Sequence, residues 1–177
     1  MRIIILGFGH IAKLHYLKWC IYNPAIEHVS IYDSKINSVD ILKDKYIQEI
    51  EKNSQNKLNV FNSNKKIEDI FLENKFNKAL ILTNNTSHFY LAKIALDNNC
   101  DVLVEKPATI SSKGFKYLEE KAIKKNKFFF PAYHQLFRSE TDQFIDELAK
   151  YLKKNKLKEV LISSGSGEGI PSHSLKG

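Results

Sequence analysis

The chain has 177 residues, of which 43% are hydrophobic, and a formal net charge of +7. This length suits one domain with the beginning of a second, and the hydrophobic content excludes a disordered chain. No apolar run approaches the ~18 residues of a membrane span, and the N-terminal run is too short for a secretory signal. Most of the positive excess lies in residues 113–158, which we interpret as solvated helix faces. We therefore expect a cytoplasmic globular protein that binds neither nucleic acid nor membrane.

Strand-like and helix-like segments alternate along the chain, which predicts an α/β fold with a doubly wound, mostly parallel sheet. Strands are predicted at 2–6, 28–32, 58–61, 79–83, 102–104, 128–133 and 159–163. Helices are predicted at 10–22, 38–53, 65–74 and 87–98, after a cap at Ser111 or Ser112, and from Ser139. We expect a Rossmann domain over 1–157. Residues 158–177 then supply only the first strand of a second, α+β domain.

The two cysteines give no sign of a metal site or a disulfide. Cys20 and Cys100 lie 80 residues apart in apolar segments, without the close spacing of metal ligands. We interpret both as buried thiols of a protein from a reducing compartment, and we expect no metal ion.

The first twelve residues, MRIIILGFGHIA, carry the strongest local signal. An Ile/Leu run that ends on glycine is typical of a strand buried on both faces of a parallel sheet. Gly7 permits a tight turn, Gly9 lets the backbone approach a pyrophosphate, and Ala12 lets helix and strand pack closely. Apolar residues at helical spacing follow, namely Leu14, Leu17 and Ile21. The segment predicts a dinucleotide site, and a plain strand-to-helix turn is the alternative. The residues of the predicted site are Gly7, Phe8, Gly9, His10, Ile11 and Ala12.

An acidic residue ends the second predicted strand. Asp33 lies 26 residues after Gly7, where a dinucleotide-binding fold places the acid that accepts the ribose hydroxyls. A carboxylate there favours NAD, because the 2′-phosphate of NADP would meet a like charge. Ser34 and Lys35 follow directly and leave NADP possible. The alternative is that Asp33 only caps a turn.

Glu105-Lys106-Pro107 follows the fifth predicted strand, at the sheet edge where ligands of such folds bind. Pro107 keeps the backbone of Lys106 extended. An amine at this edge can hydrogen-bond a substrate hydroxyl or accept its proton, whereas a solvated lysine is the alternative.

Four segments together resemble the glucose-fructose oxidoreductase/inositol dehydrogenase/rhizopine catabolism family, known as Gfo/Idh/MocA. The resemblance extends from Arg2 to about Ser163 and rests on Gly7–Ala12, Thr83–His88, Val104–Pro107 and Tyr133–Arg138. It implies an NAD(P)-dependent oxidoreductase that transfers hydride between nicotinamide and a hydroxyl of a sugar, nucleotide sugar or cyclitol. It also implies that the full-length family member is a homo-oligomer.

The resemblance assigns a role to each segment. The glycine loop holds the pyrophosphate, and Asp33 holds the adenosine ribose. The loop after the fourth strand flanks the nicotinamide half through Thr83, Asn84, Asn85 and His88, although His88 can also serve a local hydrogen bond.

The same resemblance places a catalytic group and a substrate cavity. Glu105, Lys106 and Pro107 lie beside the cofactor, Lys106 reaches the substrate and the nicotinamide ribose, and the bond before Pro107 is often cis. His134 and Arg138 line the substrate cavity. Alternatively, these two pair with acids of the next helix.

The chain departs from the family pattern after residue 160. Family members have about twice this length, and an Asp-x-x-x-His motif in their second domain supplies the acid/base histidine. No such motif follows Val160 in this sequence. We expect a portion of a dehydrogenase that is incomplete for catalysis. A naturally short nucleotide-binding sensor or partner subunit is the first alternative, and a Rossmann-like methyltransferase is the second.

Overall fold

The computed structural model of the chain describes residues 1–51, 58–133 and 139–154. Met1–Tyr133 forms one compact unit, and His134–Gly177 forms a second. The first unit contains a six-stranded, entirely parallel sheet in the order β3-β2-β1-β4-β5-β6. This order reverses direction between β1 and β4 and is that of a Rossmann fold, which confirms the predicted fold class.

The strands are β1 Arg2–Leu6, β2 His28–Tyr32, β3 Leu58–Val60, β4 Lys78–Ile81, β5 Asp101–Val104 and β6 Phe129–Pro131. The helices of this unit are α1, π-helical over Ala12–Leu17 and α-helical over Lys18–Tyr22, then α2 Ser38–Lys43, α3 Lys45–Glu51, α4 Ile67–Glu73, α5 Asn85–Asp97 and α6 Ser112–Lys125. In the second unit, α7 spans Ser139–Lys154, and it begins where predicted. The strand predicted at 159–163 and the domain boundary predicted at 157 fall outside the described residues.

The apolar run of β1 is buried on both faces of the sheet. Ile3 and Ile5 pack in a cluster with α1, α2 and α3, whereas Ile4 and Leu6 pack in a second cluster with α4, α5 and α6. Because side chains alternate between the faces of a strand, only a continuous apolar run can fill both clusters. Burying each of these side chains stabilises the fold by about 1.5–3 kcal/mol.

The first helix differs from its predicted apolar face. Leu17 and Ile21 are buried as expected, but Leu14 is 43% exposed. A π-helical turn contains more residues than an α-helical turn, so Leu14 and Leu17 do not share a face as they would in an α-helix. None of the helices in the described ranges is long and apolar enough to span a membrane.

Both cysteines are buried, as predicted. Neither Cys20 nor Cys100 forms a disulfide, and burial raises the pKa of each thiol to about 12. Both thiols are therefore protonated at neutral pH, and a protonated thiol is a poor nucleophile.

The helix predicted over 38–53 is interrupted at Asp44, where the backbone is extended. The Asp44 carboxylate accepts the N–H of Tyr46 at 2.9 Å, and it accepts Lys13 Nζ at 2.6 Å. Asp44 thereby begins α3 and ties it to α1. Burial opposes ionisation of Asp44, but the hydrogen bonds from Lys13 and Tyr46 and the lysine charge outweigh it, so the pKa of Asp44 is lowered.

Replacing Asp44 is expected to destabilise the domain in a pH-dependent way. Asp44→Ala removes both the cap and the ion pair and should cost about 1–2 kcal/mol at neutral pH, whereas Asp44→Asn retains a capping oxygen and should cost less. The folded-state pKa lies below the ordinary value of 3.8, so the charge stabilises the fold above that pH. Its contribution is lost as the pH falls through the folded-state pKa.

Urea unfolding of wild type, Asp44→Ala and Asp44→Asn at neutral pH and near pH ~2.5 measures this effect. The difference between wild type and Asp44→Asn should shrink at the lower pH. A difference that stays constant would show that the ion pair with Lys13 does not contribute.

Candidate functional site

The carboxyl ends of the strands meet at one edge of the sheet. Leu6 is in register with Tyr32 of β2 and Ile81 of β4, and Ile81 is in register with Val104 of β5. The residues that directly follow these ends therefore lie side by side. Parallel sheets of this kind bind ligands at this edge, where the strand order reverses.

A cleft of about 610 Å³ opens at that reversal point, between the loops after β1, β2 and β4. This volume is within the range of ~300–1,000 Å³ typical of small-molecule and cofactor sites. The predicted site residues among its lining are Gly7, Gly9, Asp33, Thr83 and Asn84. The lining also includes Ser34, Lys35, Ile67, Thr86, Ser87, Tyr90 and Leu91.

Gly7 forms the turn out of β1, and no other residue type suits its conformation. Its φ is +96°, and a Cβ built on it would lie 2.7 Å from the carbonyl oxygen of Leu82. Its N–H donates to the carbonyl oxygen of Tyr32 at 2.8 Å. The turn is therefore locked between β2 and β4.

Gly9 differs from Gly7 because its surroundings are open. A Cβ built on Gly9 would meet no atom within 4 Å, and the residue lines the cleft. The first N–H groups of α1 follow it, and they lack partners within the helix. An open backbone approach beside a helix N-terminus fits a phosphate-bearing ligand.

The other residues of the glycine loop divide between core and surface. Phe8 and Ala12 are buried in the cluster that also contains Ile3 and Ile5, so their side chains do not line the cleft. His10 and Ile11 are exposed. Phe8 contributes through its backbone N–H, which donates to Asp33 Oδ2 at 2.8 Å.

Asp33 holds the glycine loop and its own loop together. Besides Phe8, its carboxylate accepts the N–H groups of Lys35 at 2.8 Å and Ile36 at 3.1 Å, both through Oδ1. A carboxylate offers about four acceptor positions. Three are used here, which leaves capacity on Oδ2 for one more donor. Asp33 is thus both a turn cap and an available acceptor.

The loop after β4 is ordered by its hydroxyl groups. Ser87 Oγ donates to Asn84 Oδ1 at 2.7 Å, and Thr86 Oγ1 donates to the same oxygen at 3.2 Å. Thr83 and Asn84 line the cleft, whereas Asn85 begins α5 and is exposed.

His88 lies beneath this loop rather than in the cleft. Its side chain is fully buried, with Nδ1 2.8 Å from the carbonyl oxygen of Pro107 and Nε2 3.0 Å from that of Thr83. It therefore connects the loop after β4 to the loop after β5. This placement agrees with the local hydrogen-bonding role considered from the sequence.

The Glu105-Lys106-Pro107 loop follows β5, and its Lys106–Pro107 peptide bond is cis. Glu105 Oε1 accepts the hydroxyl of Tyr16 at 3.1 Å, and Glu105 Oε2 accepts the N–H of Lys106 at 3.2 Å. Burial, followed by the charge of Glu105, raises the pKa of Tyr16. Lys106 is exposed, and its Nζ has no hydrogen-bond or ion-pair partner within 1–51, 58–133 or 139–154.

Some of the expected site lies elsewhere or outside the described residues. His134 and Arg138, expected at the substrate cavity, fall outside them. Sequence reasoning missed Tyr16 and Tyr90 near this edge, because isolated tyrosines in amphipathic segments carry no local signal. Only the three-dimensional fold brings them there.

A protein-family model described as an oxidoreductase family with an NAD-binding Rossmann fold, GFO_IDH_MocA, matches residues 1–133, well over half of the chain. The chain belongs to the Gfo/Idh/MocA oxidoreductase family. The resemblance identified in the sequence is thereby confirmed, and residues 1–133 form an NAD-binding Rossmann domain of this family. No curated protein matches the sequence significantly.

Two solved enzyme structures share the fold of this chain. KijD10, a 3-ketoreductase from Actinomadura kijaniata in complex with NADP and TDP-benzene, has a TM-score of 0.66 at 15% identity over 85% of this chain and 42% of its own. The UDP-N-acetylglucosamine 3-dehydrogenase GnnA from Acidithiobacillus ferrooxidans has a TM-score of 0.61 at 17% identity over 84% and 43%. These identities show the shared fold alone. The chain spans about two fifths of the length of these structures.

Proposed function

We propose that this chain is the nucleotide-binding portion of an NAD(P)-dependent oxidoreductase that acts on a hydroxyl of a sugar, nucleotide sugar or cyclitol. The observation that carries the proposal is the cleft at the strand-order reversal, with Gly9 and the N-terminus of α1 on one side and Asp33 on another. A dinucleotide needs both an open backbone beside its pyrophosphate and a hydrogen-bond acceptor for its ribose.

Each wall of the cleft suits one part of the cofactor. The backbone from Gly9 to Ala12 would hold the pyrophosphate, and Asp33 would accept a hydroxyl of the adenosine ribose. Thr83 and Asn84 would flank the nicotinamide half. When bound, the nicotinamide would accept or donate a hydride at the carbon that carries the substrate oxygen.

Lys106 is the catalytic candidate of the described residues. Its ammonium is exposed at the carboxyl end of β5, next to the cleft wall formed by β4. A donor in this place can bind the substrate oxygen at which a proton is gained or lost. His134 and Arg138 remain proposed substrate-side residues from the family resemblance.

The substrate class rests on the family and on the names of two structural neighbours. One is a 3-ketoreductase solved with a TDP derivative, and the other is a dehydrogenase of UDP-N-acetylglucosamine. Both names are consistent with a sugar or nucleotide-sugar substrate for this chain. The family match favours this function over the methyltransferase alternative.

We propose NAD as the preferred cofactor because Asp33 places a negative charge where the 2′-phosphate of NADP would bind. The exposed Lys35 beside it counters this preference in part. Asp33→Asn removes the charge and is expected to weaken NADH binding about 10-fold, because hydrogen bonds to charged groups contribute about 1.5–3 kcal/mol. The same change should leave NADPH binding equal or tighter.

Fluorescence titration of the chain with NADH and NADPH measures this preference. Glu49→Gln makes the same charge change on α3, away from the cleft lining, and should alter neither affinity. Wild-type binding of NADPH as tight as NADH would contradict the preference for NAD. Failure of the wild type to bind either nucleotide would contradict the proposed function itself.

A further inference from the structure

The loop that carries Lys106 is anchored by side chains from two other elements. Tyr16 comes from α1, the helix whose N-terminus borders the cleft, and His88 comes from the first turns of α5. Neither residue lines the cleft. Both instead contact the residues on either side of Lys106, namely Glu105 and Pro107.

His88 links the loop directly to the cleft wall. Its two ring nitrogens lie against two carbonyl oxygens, one of Thr83, which lines the cleft, and one of Pro107. Carbonyl oxygens only accept hydrogen bonds, and a neutral imidazole carries one N–H, so the ring donates to one of these carbonyls and packs against the other. We assign the donated bond to the shorter contact, from Nδ1 to the Pro107 oxygen at 2.8 Å. A polar ring that is fully buried is costly unless such bonds are made. The buried ring of His88 thus lies between these two loops and contacts both.

Tyr16 controls the other side of the loop through Glu105. The tyrosine hydroxyl occupies Oε1 of the carboxylate, and the backbone N–H of Lys106 occupies Oε2. Rotation of the Glu105 carboxylate would break both bonds. A tyrosine hydroxyl is protonated at neutral pH, and the raised pKa of Tyr16 is consistent with its role as a donor.

We propose that Tyr16 and His88 are positioning residues that hold the Glu105-Lys106-Pro107 loop against the nicotinamide half of the cofactor site. This inference rests on the proposed function. In a Rossmann fold the half of the sheet made by β4, β5 and β6 receives the second mononucleotide, which is the nicotinamide half of NAD. Loosening the loop after β5 should therefore affect nicotinamide binding while the adenosine half is still held by β1 and β2.

The test compares binding of NADH with binding of ADP, which lacks the nicotinamide nucleoside. Tyr16→Phe removes only the hydroxyl and is expected to weaken NADH binding about 5-fold while ADP binding stays within about 2-fold of wild type. Tyr22→Phe is the matched control, since Tyr22 ends the same helix and is half exposed. It should change neither affinity.

Two substitutions of His88 separate its two contacts. The amide nitrogen of Asn occupies about the position of Nδ1, and that of Gln the position of Nε2. His88→Asn should therefore retain the bond to Pro107 and keep NADH affinity within about 2-fold of wild type, whereas His88→Gln should lose it and bind NADH about 5-fold more weakly. NADH affinity that is kept in His88→Asn but reduced in His88→Gln is a result that general loosening of the fold would not give.

The outcomes are distinguishable. Variants of Tyr16 and His88 that bind NADH like wild type would overturn the positioning role, as would equal losses of NADH and ADP affinity. If wild type binds ADP and NADH equally well, the nicotinamide half makes no contact and the positioning role is likewise overturned. If wild type binds neither ligand, the proposed function itself fails. Tyr16→Phe is tested independently should His88→Gln not fold.

Discussion

Gly7→Ala is expected to destabilise the domain by roughly 3 kcal/mol or more. The φ of +96° is one that side-chain-bearing residues rarely adopt, and the added Cβ would lie 2.7 Å from the Leu82 carbonyl oxygen. The clash is with backbone, so no side-chain rotation relieves it. The strands that would have to move, β1 and β4, lie at the centre of the sheet. Movement there disturbs both buried clusters.

Urea unfolding of wild type and Gly7→Ala measures this loss of stability, and Gly9→Ala provides the matched control. Gly9 lies two residues away, and a Cβ there meets no atom within 4 Å. The free energy of unfolding of Gly9→Ala should lie within about 0.5 kcal/mol of the wild-type value or slightly above it, because alanine restricts the unfolded chain. Equal stability of the Gly7 and Gly9 variants would show that the strained turn does not constrain the fold.

Gly9→Val is expected to reduce NADH affinity at least ~100-fold while the fold remains intact. The branched side chain would project into the open space that the proposed pyrophosphate requires. The side chain should therefore clash with the bound ligand and not with other atoms of the protein. Titration with NADH, with wild type and Gly9→Ala alongside, should give affinities that decrease from Gly to Ala to Val.

Two further measurements make this result decisive. Circular dichroism and the urea midpoint of Gly9→Val should match those of wild type, which separates a blocked site from an unfolded one. Unchanged NADH affinity in a folded Gly9→Val variant would mean that the cofactor does not pass over Gly9. The site would then have to be sought away from this loop.

Features written in short stretches of sequence were predictable. The apolar run of β1, the glycine turn and Asp33 at the end of β2 each depend on a few consecutive residues and their spacing. The strands predicted at 2–6 and 28–32 are confirmed to the residue. The doubly wound parallel architecture follows from the same local alternation, because right-handed parallel crossovers leave few topologies.

Features that depend on distant contacts were not predictable. The Tyr16 hydroxyl meets Glu105 across 89 residues of chain, and no periodicity in α1 marks Tyr16 for that contact. Likewise, nothing near Asp44 in the sequence indicates its ion pair with Lys13, which is 31 residues away. The π-helical turn in α1 shifted Leu14 outward, although its spacing fits an α-helix. The two side-chain contacts depend on long-range packing, to which propensity is only a weak guide. The structure gives no cause for the π-helical turn.

The position of Gly7 between β2 and β4 also bears on how the chain folds. The backbone against which Gly7 lies, at Leu82, follows β4, and the residues in register there, Leu6 and Ile81, are far apart in the chain. Pairings of such high sequence separation form slowly, because a long loop must close first. The cleft is lined by residues that follow β1, β2 and β4, so a nucleotide that binds it would bind only chains in which these strands have paired. By mass action it would protect them against unfolding in proportion to its concentration.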